Sequence, residues 1–275
     1  MDVSDTEPPR TVWPAEALWL EVVPLLPGFT VEVLLEVDST NSELMRRARA
    51  GQRDPVLLVA ERQTAGRGRL GRKWFSDDVA SAGGAATCGG RQLAAGSLTF
   101  SLALPLAPED WSGLSLAVGV SVARSLHPAL RLKWPNDIWL EDRKLAGILI
   151  ETASFDDSRF AVIGIGINIL PRSSEGLSTA PAWLQELLPE LSAPAVLQCV
   201  VPALVQAVLL FQAQGFAPFQ AAFKKRDALR GRTVVLSDGT TGIATGVDGT
   251  GVLLVHTSNG MQAISSAEVS VRPVV

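Results

Sequence analysis

Three glycines and three arginines alternate within one short run, Gly66-Arg67-Gly68-Arg69-Leu70-Gly71-Arg72, with Gln63 ahead of it and Lys73 and Trp74 closing it. A guanidinium is a planar fork of donors that fits carboxylate and phosphate oxygens two at a time. Glycine lets the backbone take φ > 0 and approach a ligand closely. Trp74 adds a flat ring face. Together these residue types fit a loop that closes over an anionic, base-bearing ligand such as a nucleotide. Further on, Lys144 opens an apolar stretch, Lys133 shares a strand face with Arg131, and Asp137 follows Pro135-Asn136. Each of these alone is also compatible with a solvated edge residue or a turn. The sequence has no Gly-x-Ser-x-Gly elbow, no Cys/His pair and no G-x-x-x-x-G-K-[ST] loop. Cations and amides around a glycine loop remain. That set suits phosphoryl or nucleotidyl transfer, where positioning and charge stabilisation dominate.

The elements that would position these groups follow from periodicity and punctuation. Residues 1–30 read as an N-terminal tail and a short helix over 14–26, and residues 31–37 as a strand. Thr40 and Glu43 have capping-box spacing and open a helix over 42–50 that stops at Gly51. A helix N-terminus offers free N–H groups to an anion, so Ser39 and Thr40 read both as caps and as a ligand-facing edge. A strand over 56–61 delivers Gln63 and the arginine loop at its end. Residues 77–96 are rich in Ala and Gly and read as a mobile insertion, with Cys88 an incidental exposed thiol. Residues 97–104 alternate as a half-buried strand, and 111–127 form an amphipathic helix ending at His127. Strands over 130–134, 138–140, 144–151 and 160–169 follow, with Trp134 as core. A short helix over 182–188 and longer ones over 195–214 and 218–229 complete a unit spanning 31–229, with Cys199 in its core. Successive strands joined by short turns predict an α+β fold with a mixed, largely antiparallel sheet packed with helices. From residue 230 to 275 short strands are separated by Asp238-Gly239, Asp248-Gly249 and Asn259-Gly260, which predicts a small C-terminal β-barrel domain.

A chain of 275 residues holds one larger and one small domain. The net charge of -4 argues against a protein that coats nucleic acid; the arginine loop is a local cationic island suited to a small anion. Two cysteines and two histidines stand in unrelated contexts, so neither a metal site nor a disulfide framework is expected. The acidic N-terminus lacks the pattern of a secretion signal, and no run approaches about 18 uninterrupted apolar residues. A cytoplasmic protein without a membrane partner is expected.

In order along the chain, Asp38-Ser39-Thr40-Asn41, the run from Gln63 to Trp74, Lys133-Trp134-Pro135-Asn136-Asp137, the stretch from Arg143 to Glu151, and Gly164-Ile165-Gly166-Ile167-Asn168 resemble the signatures of biotin protein ligases. The resemblance covers residues 36–270. It implies the catalytic fold shared by biotin and lipoate ligases, followed by an SH3-like barrel. It also implies a two-step reaction: biotin and MgATP give biotinyl-5′-adenylate and pyrophosphate. The biotinyl group then passes to one lysine of a biotin carboxyl carrier domain, as in acetyl-CoA carboxylase. ATP and Mg2+ enter as co-substrate and biotin as substrate, with no tightly bound metal.

By the same resemblance Lys144, Arg67 and Asp137 are the catalytic candidates. Arg67 and Arg69 would neutralise the carboxylate and the α-phosphate. Lys144 would hold the carboxyl oxygen and stabilise charge in both transition states, and Asp137 would orient or deprotonate the incoming lysine. Ser39, Thr40, Asn41, Gln63, Arg67, Gly68, Arg69, Lys144 and Gly147 would bind biotin. Arg67, Arg69, Arg72, Trp74, Asn136, Lys144 and Asn168 would bind ATP and the adenylate, with Trp74 near the adenine. Longer members of the family carry an N-terminal winged helix; the segment before residue 36 is too short for one, so no DNA binding or repression is expected. The insertion at 77–96 leaves the local loop geometry and a homodimer contact open. Two rivals stand beside this reading: a lipoate ligase or octanoyltransferase, and a non-catalytic nucleic-acid-binding module, which would show steep salt dependence.

Overall fold

The structure, a computed structural model, describes residues 11–75, 96–155, 158–172, 179–265 and 271–273. Cys88 and the insertion read at 77–96 lie outside these residues, Gly96 excepted.

A seven-stranded sheet forms the main body. Strands β1 (Thr30–Val37) and β2 (Val56–Gln63) are parallel, which requires a crossover, and helix α2 (Thr40–Arg49) supplies it. From β2 the sheet continues antiparallel through β3 (Ser97–Pro105), β7 (Ser158–Asn168), β6 (Arg143–Phe155), β5 (Asp137–Leu140) and β4 (Arg131–Lys133). This is the mixed, largely antiparallel α+β architecture expected from the sequence.

Helices cover both faces. On one, Leu44, Met45 and Ala48 of α2 pack on Leu58, Ala103, Phe160 and Val162. On the other, α1 (Ala15–Val22), α3 (Leu114–Leu126) and α4 (Ala193–Gln214) cover Leu57, Val59, Phe100, Leu102 and Ile163. Strand β3 is therefore buried on both sides from Ser97 to Leu104, and not half-buried as its alternation suggests. Its small polar face is covered by α2. Its hydroxyls are satisfied inside: Thr99 donates to the Ala60 carbonyl at 3.0 Å.

Other corrections are local. The cap of α2 is Ser39, whose extended backbone lets its Oγ accept the Ser42 N–H at 3.4 Å; Thr40 is already helical. Glu43 turns instead to Arg46 and Arg47, so no capping box forms. The helix read at 182–188 is a 3₁₀ turn, Leu184–Glu186. Cys199 faces outward from α4 and is exposed, because the apolar stripe of that helix is formed by Val196, Leu197, Val200, Val201 and Leu204. By length and composition α4 could cross a membrane, against the expectation that no segment would; 56% of its apolar window is buried inside the protein, where it packs on α3 and α1.

The C-terminal part is a five-stranded antiparallel sheet in the order β11 (Gly260–Ile264), β10 (Leu253–Thr257), β9 (Thr241–Val247), β8 (Thr233–Leu236), β12 (Val271–Pro273). Gly239 and Gly260 sit at φ 88° and 101° in the expected hairpin turns, a region open to glycine. This sheet meets the main body through α5 (Ala217–Arg226) and through Trp134, a buried core residue whose indole N–H donates to the Gly251 carbonyl at 3.1 Å.

Candidate active site

Because β1 and β2 run parallel with Val37 opposite Gln63, the turn into α2 and the start of the arginine loop emerge side by side. That brings Ser39, Thr40, Asn41 and Gln63 together, all at least nine-tenths buried. The Thr40 N–H donates to Gln63 Oε1 at 2.8 Å. Ser101 of β3 lies 2.7 Å from both Thr40 Oγ1 and Asn41 Oδ1. Asn41 Nδ2 donates to the Leu149 carbonyl at 3.2 Å and to Glu151 Oε2 at 3.0 Å. A Cβ on Gly164 would stand 2.1 Å from Asn41 Oδ1, so glycine makes room for that amide.

The arginine loop is a small hairpin. Arg67 and Lys73 form a bridge, the Gly68 N–H donates to the Arg72 carbonyl at 2.7 Å, and the Trp74 N–H donates to the Gly66 carbonyl at 2.9 Å. A Cβ on Gly66 would come within 2.3 Å of the Trp74 carbonyl oxygen, which explains glycine there. The tip, Arg69–Gly71, turns through left-handed conformations at Leu70 (φ 56°) and Gly71 (φ 69°). Arg67 donates to Glu151 Oε1 at 2.8 Å and to Ser42 Oγ at 3.0 Å. Arg69 points the other way, to Asn136 Oδ1 at 3.4 Å. Burial lowers the pKa of Arg69, the Asp137 charge opposes this, and the Arg72 charge adds to it. Arg72 and Lys73 are exposed.

Gly147 of β6 pairs with Gly166 of β7, and this bare patch of sheet receives the Trp74 indole. A Cβ on Gly166 would lie 2.4 Å from Trp74 Cε2, and one on Gly147 3.5 Å from its Cζ3. Arg172 lies over the indole, 5.5 Å from the ring centroid. Asn168 donates to the Ala182 carbonyl at 2.9 Å and accepts from Arg172 at 2.8 Å. Its amide thus ties the sheet to the segment after β7.

Lys144 Nζ lies 2.6 Å from Asp137 Oδ1, and Lys133 Nζ 3.7 Å from Asp137 Oδ2. A register shift between Ile138 and Trp139 in the β5–β6 pairing sets this up. A one-residue slip turns a side chain to the other face, and here it leaves the Lys144 ammonium beside Gly147. Asn136 is fixed by donating from Nδ2 to the Ile148 carbonyl at 2.7 Å.

The structure thus gathers the sequence-predicted residues into two adjoining compartments: a neutral polar pocket of Ser39, Thr40, Asn41 and Gln63, and a charged one of Arg69, Asn136, Asp137 and Lys144 beside Gly147 and Trp74. Arg67 reaches the first through Glu151. Sequence reasoning assigned no role to Ser101, Glu151, Gly164, Gly166 or Arg172. Glu151, Gly164 and Gly166 stand inside the recurring motifs, whereas Ser101 gave no signal beyond a hydroxyl in an alternating strand.

The biotin/lipoate A/B protein ligase family matches residues 85–168, and the biotin protein ligase C-terminal domain matches residues 231–272. Over 262 residues the chain is 34% identical to the bifunctional ligase/repressor BirA of Escherichia coli (strain K12), covering 92% of this chain and 77% of that protein. Over 249 residues it is 34% identical to the biotin–acetyl-CoA-carboxylase ligase of Paracoccus denitrificans, covering 86% of this chain and 98% of that one. The solved biotin protein ligase from Aquifex aeolicus in complex with biotin and ATP matches at TM-score 0.70 and 29% identity, covering 89% of this chain and 99% of that one. With relatives this similar over most of both chains, and with the site residues gathered from strands β1 to β7, this chain belongs to the biotin protein ligase family.

Proposed function

We propose that the two compartments divide the labour of an ATP-dependent biotin ligase. The observation that carries this is their adjacency: a neutral, buried hydrogen-bonding cluster stands beside a charged one that lies against a glycine patch and an indole. The ureido ring of biotin carries polar groups without charge, and suits Ser39, Thr40, Asn41 and Gln63. Its carboxylate reaches toward Arg67, Gly68, Arg69, Lys144 and Gly147. ATP lies along Arg69, Arg72, Asn136, Lys144 and Asn168, with adenine near Trp74 and Mg2+ accompanying the phosphates.

In the first step a biotin carboxylate oxygen attacks the α-phosphorus and pyrophosphate leaves. Two anions must approach, and Arg69 and Lys144 offset their repulsion. Lys144 must release Asp137 to do so; Lys133, already beside the other carboxylate oxygen, keeps that carboxylate paired. In the second step a carrier-lysine amine attacks the acyl carbon and AMP leaves, with Asp137 orienting the amine or taking its proton. The acceptor is a biotin carboxyl carrier domain of acetyl-CoA carboxylase, and the enzyme acts in the cytoplasm without binding DNA. The arginine loop orders further over the adenylate and keeps water from hydrolysing it.

The test is biotin-dependent ATP–pyrophosphate exchange without an acceptor, followed by labelling of a carrier domain. Exchange with biotin and labelling of the carrier lysine are expected. Labelling by lipoate alone would favour a lipoate ligase. Steeply salt-dependent nucleic-acid binding with no pyrophosphate release would favour a binding module.

A further inference from the structure

In the neutral pocket the hydrogen-bond directions of Asn41, Ser101 and the Thr40 hydroxyl follow from two acceptors on β6, the Leu149 carbonyl and the Glu151 carboxylate, and that of Gln63 from the Thr40 N–H. The Leu149 carbonyl and the Glu151 carboxylate can only accept, so the Asn41 atom facing both is its nitrogen. Asn41 Oδ1 therefore faces Ser101, and it too can only accept. Ser101 is fully buried and has one proton; that proton goes to Asn41, and the Ser101 oxygen accepts from the Thr40 hydroxyl at 2.7 Å, a nearer partner for that hydroxyl than Gln63 Oε1 at 3.2 Å. The Thr40 N–H in turn claims Gln63 Oε1, which turns Gln63 Nε2 toward Gly66 and the arginine loop, 3.0 Å from where a Cβ on that glycine would stand. The pocket is left with an amide donor at Gln63 and an acceptor oxygen at Thr40. A urea, a carbonyl flanked by N–H groups, is complementary to that pair.

We propose that Glu151 is a positioning residue for biotin selection. With the Leu149 carbonyl it fixes the orientation of the Asn41 amide and, through Ser101, the Thr40 acceptor offered to the ureido ring beside Gln63. The proposal rests on the reading of this pocket as the biotin site. Gly164 reinforces it sterically, since the Asn41 oxygen is nested where a Cβ would fall 2.1 Å away. The other Glu151 oxygen holds Arg67 at 2.8 Å, so one carboxylate serves both the pocket and the loop that closes it. Glutamine cannot replace it: one oxygen accepts, but the other arm would present an N–H₂ to either Asn41 or Arg67, both donors.

The experiment compares the parent with E151Q, E151A, N41A and E151A/N41A in biotin-dependent ATP–pyrophosphate exchange, with lipoate as competing substrate and a thermal melt of each. E151Q and E151A are expected to raise the biotin KM about tenfold, the scale of losing a hydrogen bond to a charged group. Discrimination against lipoate should fall with it, while the melting midpoint stays near the parent's. The double variant should fall well short of the product of the two single effects, because part of what Glu151 does runs through that amide and the rest through Arg67. Three results would overturn the proposal: a parent-like biotin KM in E151Q, independent multiplying effects of E151A and N41A, or a loss confined to kcat and the melting midpoint, as a merely structural role would give. Absence of biotin-dependent exchange in the parent itself would instead overturn the biotin reading, and this inference with it.

Discussion

The Trp74 indole stands directly over Gly166, so close that a Cβ there would lie 2.4 Å from its Cε2. No rotation of a methyl relieves such a contact; the ring must move. Gly166→Ala should therefore displace Trp74, raising the KM for ATP about tenfold, the scale of a lost aromatic contact, with a smaller change for biotin. Gly147→Ala should be milder, since its new Cβ would meet chiefly the flexible end of Lys144, 3.1 Å away. Steady-state kinetics with each substrate varied in turn decides it; an unchanged KM for ATP in Gly166→Ala would remove Trp74 from the nucleotide site.

Lys144 and Asp137, 2.6 Å apart, are predicted to separate by reaction step. Lys144→Ala should slow adenylate formation on the order of 100-fold, the loss typical of a donor aimed at developing charge. Asp137→Asn should leave pyrophosphate exchange within about threefold, yet slow transfer from preformed adenylate to the carrier by about 100-fold, as loss of a general base does. Single-turnover transfer measures the second. Parent-like transfer by Asp137→Asn would reduce Asp137 to a partner that holds Lys144 when the site is empty.

Asp227, just past α5, is buried, and its carboxyl is pushed above the ordinary value of 3.8. Burial is the main cause, partly offset by the amides of Leu229 and Arg230. A folded state that holds this proton more tightly than the unfolded state loses stability as the pH rises from the unfolded value through the folded one. Asp227→Asn keeps an oxygen for the Leu229 N–H, which donates at 2.9 Å, and removes the buried charge. Its melting midpoint should exceed the parent's by about 2–4 °C at neutral pH, and the gap should close as the pH falls toward about 4. A less stable variant at neutral pH would mean that the carboxylate's attraction to Arg230 and Arg131 outweighs its burial.

Much of this protein is written locally. The apolar runs of β2 and β7, the helical spacing in α3 and α4, and the Asp-Gly and Asn-Gly turns place their elements within a few residues, because backbone propensity and periodicity act over short windows. The site motifs are legible by type: glycines where backbone must be bare, arginines where anions arrive, an amide and hydroxyls at a helix start. What the chain alone left undecided depends on contacts between distant segments. Ser101 reads as a wet strand residue until α2 covers it, and Cys199 reads as core until the rotation of α4 turns it outward. The capping of α2 fell to Ser39 because its partner is set by backbone angles, not by residue type. Glu151 acquires meaning only because sheet register brings it to Asn41, 110 positions away, and Trp74 only because β6 and β7 pair glycine with glycine beneath it. Hydrogen bonds and ring contacts are directional over a few ångströms, so their partners are chosen by register, bulge and rotamer, which exist only once the sheet has assembled.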